Sequence, residues 1–269
     1  MDWRQPGSER FHGRSPRGRA ALIDVHSHLL PGVDDGPRTL DEACEMCRTY
    51  AKCGYTTVIA TPHMSNPAFD VSPEDVRART REVQAACAQQ GVELEVLPGA
   101  EVRLEPAMLD KVDSGRVLSL GDSGRYLLIE LPRQMMPRLD YLGAQLAERR
   151  VTPIIAHPER NIGIRRCPGR LSELVEAGWL VQITAGALIG TLGSRSMKAA
   201  RFFVKQGLVH LVATDAHGTP PLSPDRTRAV ERCISMLAGQ QRVDALLRKN
   251  PAQIVSASRS PESKATAPA

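Results

Sequence analysis

Several short segments of this chain place His, Asp or Glu directly after an apolar stretch, and these are the residue types that hold divalent metal ions. The first reads Leu22-Ile23-Asp24-Val25-His26-Ser27-His28. Alternate residues of an extended strand share a face, so His26 and His28 turn two imidazoles to one side. Two neutral imidazoles on one face begin a transition-metal site. The remaining segments offer Asp34-Asp35-Gly36, Thr61-Pro62-His63, Gly99-Ala100-Glu101, Ala156-His157-Pro158-Glu159-Arg160 and Thr214-Asp215-Ala216-His217. One His-x-His alone fits a packed or solvated histidine equally well. Its recurrence with carboxylates does not, because these groups are costly to bury unless paired or bound to metal. His12 lies in a polar terminal stretch. His210, five residues before Asp215, is turned to the opposite face by strand alternation and reads as structural.

Five histidines and at least three carboxylates exceed the needs of one catalytic zinc, which takes three protein ligands and a water. The set points to two or three ions with bridging carboxylates, and mixed N/O ligation suits Mn²⁺, Fe²⁺ or Zn²⁺. Closely spaced ions suit phosphate-ester hydrolysis, with a metal-bridging hydroxide as nucleophile. Arg160 offers a planar fork to a phosphoryl group; the alternative is an ion pair with Glu159. None of the six cysteines has an Arg six positions later, which excludes the Cys-x5-Arg phosphatase loop. No strand of the body ends in Lys, which disfavours amidohydrolases that bridge their metals with a carboxylated lysine.

The elements that must position these groups alternate along the chain. Strands are expected at 22–25, 57–60, 93–98, 126–131, 153–156, 180–184 and 209–214. Helices are expected at 40–52, 73–90, 140–148, 171–177, 194–205, 225–237 and 243–248. Asp41 and Glu42 favour a helix start, and Gly54, Gly91, Gly178 and Gly207 favour stops. Strand–helix alternation implies a parallel sheet. Polar residues gathered at the C-terminal ends of the strands suggest a closed or distorted barrel with its site on that face; an open doubly wound sheet is the alternative. No dinucleotide or P-loop glycine motif is present.

Of the net charge of +5, four units lie in residues 1–20 and 256–269, so the body is nearly neutral and nucleic acid is an unfavoured partner. Both terminal stretches, rich in Arg, Ser, Pro and Ala, are expected to be disordered, with one domain over 21–255. No apolar run reaches the roughly 18 residues of a membrane span, and no signal-peptide core is seen, so a cytoplasmic protein is expected. Cys44-x-x-Cys47 falls on an expected helix without a second pair and reads as packing rather than as a zinc or redox site. A homo-oligomer is compatible with the composition.

The whole set from His26-x-His28 to Asp215-Ala216-His217, at its spacing over 22–255, resembles the polymerase-and-histidinol-phosphatase superfamily. With Leu30-Pro31-Gly32-Val33-Asp34-Asp35-Gly36, Tyr126-Leu127-Leu128-Ile129-Glu130-Leu131-Pro132 and Gln182-Ile183-Thr184-Ala185-Gly186, it resembles more narrowly the metal-dependent protein-tyrosine phosphatases of bacterial capsule and exopolysaccharide operons. The resemblance implies a distorted (β/α)7 barrel with a trinuclear site, commonly manganese. His26, His28, Glu101 and Asp215 would hold one ion. Glu101 would bridge to a second held with His63 and His157, and Asp35 and His217 would complete the third. Arg160 and Asp35 would be the catalytic groups, Arg160 binding the substrate phosphate. The substrate would be the phosphotyrosine tail of a polysaccharide-synthesis tyrosine kinase. The chain departs from the pattern after His217: Gly218-Thr219-Pro220-Pro221 stands where an Asn and then a second phosphate-binding Arg are expected, so that either the next arginine, Arg226, takes this role or the loop has lost it. Two other readings fit the residues: a small-molecule phosphoesterase of the histidinol-phosphate type, and a non-catalytic metal-binding regulatory module.

Overall fold

A computed structural model describes residues 21–260. The expectations for 1–20 and for 261–269 lie outside the described residues. The strands are β1 (Leu22–Ser27), β2 (Tyr55–Ala60), β3 (His63–Met64), β4 (Glu95–Pro98), β5 (Glu101–Arg103), β6 (Tyr126–Glu130), β7 (Thr152–Ala156), β8 (Leu180–Thr184) and β9 (Leu211–Ala213). Every ladder is parallel, in the orders β1-β2-β4 and β3-β5-β6-β7-β8-β9.

Only Thr61-Pro62 separates β2 from β3, and only Gly99-Ala100 separates β4 from β5, so each couple is one stave broken at a kink. Pro62 has no N–H for a ladder, and its carbonyl accepts from Glu101 N across the break (3.1 Å). Seven staves result. The ring is joined between β1 and the chain leaving β9 by a single Ser27–Ala216 bridge. There His28 N donates to Ala216 O and Asp215 N to His26 O, both at 2.9 Å. The molecule is thus the expected distorted (β/α)7 barrel, with a short 3₁₀ turn at Leu120–Asp122 packed beside β4 and β6.

The barrel interior holds Ile23, Val25, Leu128, Ile154, Leu180 and Leu211. The helices bury their apolar faces outside it, and their ends follow ordinary capping chemistry. Over Leu40–Cys53, Thr39 accepts from Glu42 N and Gly54 closes the helix in the left-handed region (φ 91°). Over Pro73–Gln89, Ser72 and Asp75 form a reciprocal capping box.

The C-terminal region corrects the sequence reading. The helix expected at 243–248 is a short helix Gln240–Asp244, a wider turn over Ala245–Lys249, and a further helix Asn250–Ser258. Pro251 sits in that last helix's first turn, where its missing N–H costs little. Residues 256–258, read as tail, are helical because Ile254 and Val255 plug the barrel floor against Leu120. Among the described residues no helix is long and apolar enough to cross a membrane.

Candidate metal centre

The two leading histidines reach the barrel interior through a β-bulge. Asp24 pairs with Val58 and Ser27 with Ala60, so β1 spends three steps where β2 spends two. The extra residue resets the alternation. Ile23 and Val25 face the inner core, Asp24 meets Tyr50 of the outer helix Leu40–Cys53, and His26 and His28 then turn inward together. Their ring centroids are 5.4 Å apart.

All eight residues expected to bind metal converge at the C-terminal face of the barrel. His26 Nε2 lies 3.3 Å from His28 Nε2. Glu101 Oε2 is 3.6 Å from both nitrogens. Asp215 Oδ1 is 3.4 Å from that of His26 and 3.5 Å from that of His28. Donors about 2.1 Å from one tetrahedral ion stand about 3.4 Å apart, so the His26, His28 and Glu101 atoms are spaced as ligands are, and Asp215 Oδ1 stands at that spacing from both histidines. Glu101 Oε2 is buried and is approached only by imidazole nitrogens, of His26, His28 and His63, which fits an oxygen that serves a cation. Glu101 also meets His63 Nδ1 through Oε2 (2.9 Å) and His157 Nε2 through Oε1 (2.7 Å). Beyond them, Asp35 Oδ1 lies 3.3 Å from His217 Nε2 and 3.7 Å from His63 Nε2. His28, Asp35, His63 and His217 thus form one candidate group, overlapping His26, His28 and Glu101.

The ring tautomers are set from behind. His26 Nδ1 donates to Gln182 Oε1 (3.0 Å), His28 Nδ1 to Asp34 Oδ2 (2.6 Å) and His217 Nδ1 to the Asp215 carbonyl (3.0 Å). Each bond leaves Nε2 with a free lone pair toward the centre. Burial opposes charge on Glu101, Asp215 and His157, but the mixture of carboxylates and imidazoles outweighs it there; at His217 burial and the neighbouring His28 win and lower the ring. The imidazoles of His26 and His157 hold Glu101 well below the usual carboxylate range, and His26 and His28 lower Asp215. Glu101 in turn raises His157 to about 9 despite its burial. The carboxylates therefore create a field that favours cations. His157 and Asp215 both take left-handed backbone (φ 32° and 53°), rare outside glycine, at the turns that aim them inward.

Arg160 does not pair with Glu159. Its Nη1 donates to Asp215 Oδ2 (2.8 Å), with a third of the side chain open to solvent. Glu159 is fully buried, accepts from Thr184 N (2.9 Å) and is raised by burial. Beside Arg160 lies a cavity of about 460 Å³, lined also by Thr184, His217, Ile189, Leu192, Leu222 and Arg226. Arg226 lies at this wall with Nη1 donating to Pro220 O (2.8 Å). His210 stands at the far end of the barrel, where its Nδ1 accepts from Val181 N. Cys44 and Cys47 are free and buried in packing.

Some partners escaped the sequence reading. Of the adjacent acids, Asp35 has a side chain 54 % exposed, whereas that of Asp34 is fully buried and accepts from His28 and from His63 N (3.1 Å). Gly36 is needed there because a Cβ would stand 2.4 Å from His28 O. Glu130 groups with His63 and Glu101. The signal for it was available, since Tyr126, Leu128 and Glu130 alternate on one face of β6. Gln182 carries no such signal, because a strand glutamine is ordinarily solvated.

Residues 22–256 match the family model for capsular polysaccharide synthesis, CpsB/CapC. The chain belongs to this family. It is 38% identical to tyrosine-protein phosphatase YwqE of Bacillus subtilis (strain 168), over 73% of this chain and 77% of that protein. Identity to tyrosine-protein phosphatase CpsB of Streptococcus pneumoniae is 28%, over 87% and 98%. Among solved structures, it superposes at a TM-score of 0.82 and 33% identity on one described with YwqE and CpsB as unique metal-dependent tyrosine phosphatases, covering 88% of this chain and 95% of that one. A β-aspartyl dipeptidase of Fervidobacterium islandicum shares the fold alone, at a TM-score of 0.54 and 13% identity.

Proposed function

We propose that this chain is a metal-dependent protein-tyrosine phosphatase of capsule or exopolysaccharide synthesis. The observation that carries this reading is the convergence of His26, His28, His63, Glu101, His157, Asp215, Asp35 and His217 on one face, beside Arg160 and its cavity. His26, His28, Glu101 and Asp215 hold one ion. Glu101, His63 and His157, with Glu130 alongside, hold a second, and Asp35 with His217 completes a third. Manganese is the first choice for two or three ions, with iron or zinc as alternatives. When bound, the ions supply an activated water and offset phosphoryl charge.

The remaining steps fall to the chain itself. Arg160 presents its planar guanidinium to the phosphoryl oxygens, and its bond to Asp215 holds the fork beside the centre. Asp35, the most exposed of the ligands, acts with Arg160 on the reacting group. Ile189, Leu192 and Leu222 give the ring an apolar wall, and Arg226 offers a second positive charge at the cavity wall. Phenol, with a pKa of about 10, leaves without a dedicated acid, and none is assigned. The substrate we favour is the phosphotyrosine tail of a polysaccharide-synthesis tyrosine kinase, met in the cytoplasm; the six free thiols agree with a reducing compartment.

The test is phosphate release from a phosphotyrosine peptide after chelation, with Mn²⁺ returned to wild type and to His157→Ala. Recovery in wild type alone supports the reading. Silence of the wild type with metal bound contradicts it and turns attention to small phosphoesters or a regulatory role.

A further inference from the structure

We propose that Asp24, which stands behind the centre, is the positioning residue that holds His26, His28 and Asp215 in register for metal. The inference rests on reading those three residues as ligands. Asp24 is completely buried. Its Oδ1 accepts from Thr214 N at 3.0 Å and from His26 N at 3.4 Å. Its Oδ2 accepts from the Tyr50 hydroxyl at 2.8 Å and from the Thr214 hydroxyl. Tyr50 also lies 2.9 Å from Ser27 Oγ. One carboxylate therefore joins the bulged part of β1 to the residue immediately before Asp215 and to the outer helix Leu40–Cys53.

The place of this clamp in the barrel matters. β6 and β7 pair over four residues, and β8 and β9 over three. The seam between β1 and the chain after β9 has one bridge, Ser27–Ala216. Three proposed ligands lie on this seam, and one of them, Asp215, holds a left-handed backbone that its surroundings must enforce. A buried carboxylate is an expensive way to fill space. Apolar packing would suffice if the seam needed only bulk. Four donors converging on two oxygens instead fix the relative height of the two strands, and with it the spacing of the His26, His28 and Asp215 donor atoms.

The experiment is a calorimetric Mn²⁺ titration of the metal-free full chain as wild type, His26→Ala, Asp24→Ala, Asp24→Asn and Thr214→Val, each with a thermal melt. His26→Ala is expected to lose a binding event. Asp24→Ala is expected to bind Mn²⁺ about 10- to 100-fold more weakly. Asp24→Asn should recover most of that loss, because its carbonyl oxygen can accept from both backbone N–H groups while the hydroxyls rotate to accept from its amide. Thr214→Val, which keeps the backbone donor, should fall between. A folded Asp24→Ala that melts lower yet binds Mn²⁺ like wild type overturns the proposal; should Asp24→Ala not fold, wild-type affinity in Thr214→Val overturns it. If the wild type itself binds no Mn²⁺, the ligand reading fails and the proposal falls with it.

Discussion

His157 and His210 occupy opposite ends of the same barrel, one just after β7 and the other just before β9. Both are largely buried, and burial alone drives an imidazole to the neutral form. At His157, Glu101 stands 2.7 Å away and lifts the group to about 9. At His210, burial acts with the positive charge of Arg242, and the ring falls to about 4. The neighbouring residues differ accordingly. Glu101, Asp215 and Asp35 crowd the C-terminal face, while Ile23, Leu180, Leu211 and the Ile254 plug fill the interior below it. A histidine in a barrel is therefore not a ligand by type. The carboxylates around it decide whether it faces a cation or completes the packing.

The comparison can be broken first at the upper face. Arg160→Ala should lower kcat/KM on a phosphotyrosine peptide about 100- to 1000-fold, the usual cost of removing one preorganised donor to a developing anion. Arg160→Lys should recover little of it, because a point charge cannot replace the fork. The melting temperature should stay close to that of wild type, since Arg160 is partly exposed. An unchanged kcat/KM would remove Arg160 from the phosphate site.

At the floor, the same comparison predicts lost stability without lost chemistry. Ile254 is fully buried in the plug, so Ile254→Ala should cost about 2–5 kcal/mol in denaturant unfolding. The folded fraction should keep its Mn²⁺ affinity. A loss of metal binding in the folded variant would show that the two ends are coupled.

A smaller effect concerns acid. The unfolded chain protonates His210 near pH 6.5, but the folded chain does so only near pH 4. Between these values the unfolded state binds the extra proton, so stability falls as pH drops through that window. The contribution is about 2 kcal/mol at pH 5, at 1.36 kcal/mol per unit. Unfolding of the metal-free protein at pH 7 and pH 5 should show this fall in wild type relative to His210→Gln. Parallel curves for the two proteins would mean that His210 does not stay neutral.

The upper face was far more legible in the sequence than the floor. Imidazoles and carboxylates after apolar strands announce themselves, because nothing in ordinary packing calls for them. Their strands followed from short Val-, Ile- and Leu-rich runs, and β8 matches its expected bounds. The floor plug was missed because no element was expected over 249–255 and 256–258 were read as tail: the apolar face of Asn250–Ser258 has no meaning until its partner, the barrel floor, is known. The residues that orient the ligands were missed for a related reason. Asp34, Gln182 and Asp24 lie six, 156 and two positions from the groups they hold, and a bulge in β1 inverts the face that simple alternation assigns to Asp24. Contacts made across the barrel leave no periodic trace along one strand.

The most direct measurement of the central claim is anomalous diffraction at the manganese edge from crystals of the Mn²⁺-loaded chain. The account predicts peaks among His26, His28, Glu101 and Asp215, and beside Asp35 and His217, with none at His210. A face without anomalous density, or density at the floor, would contradict it.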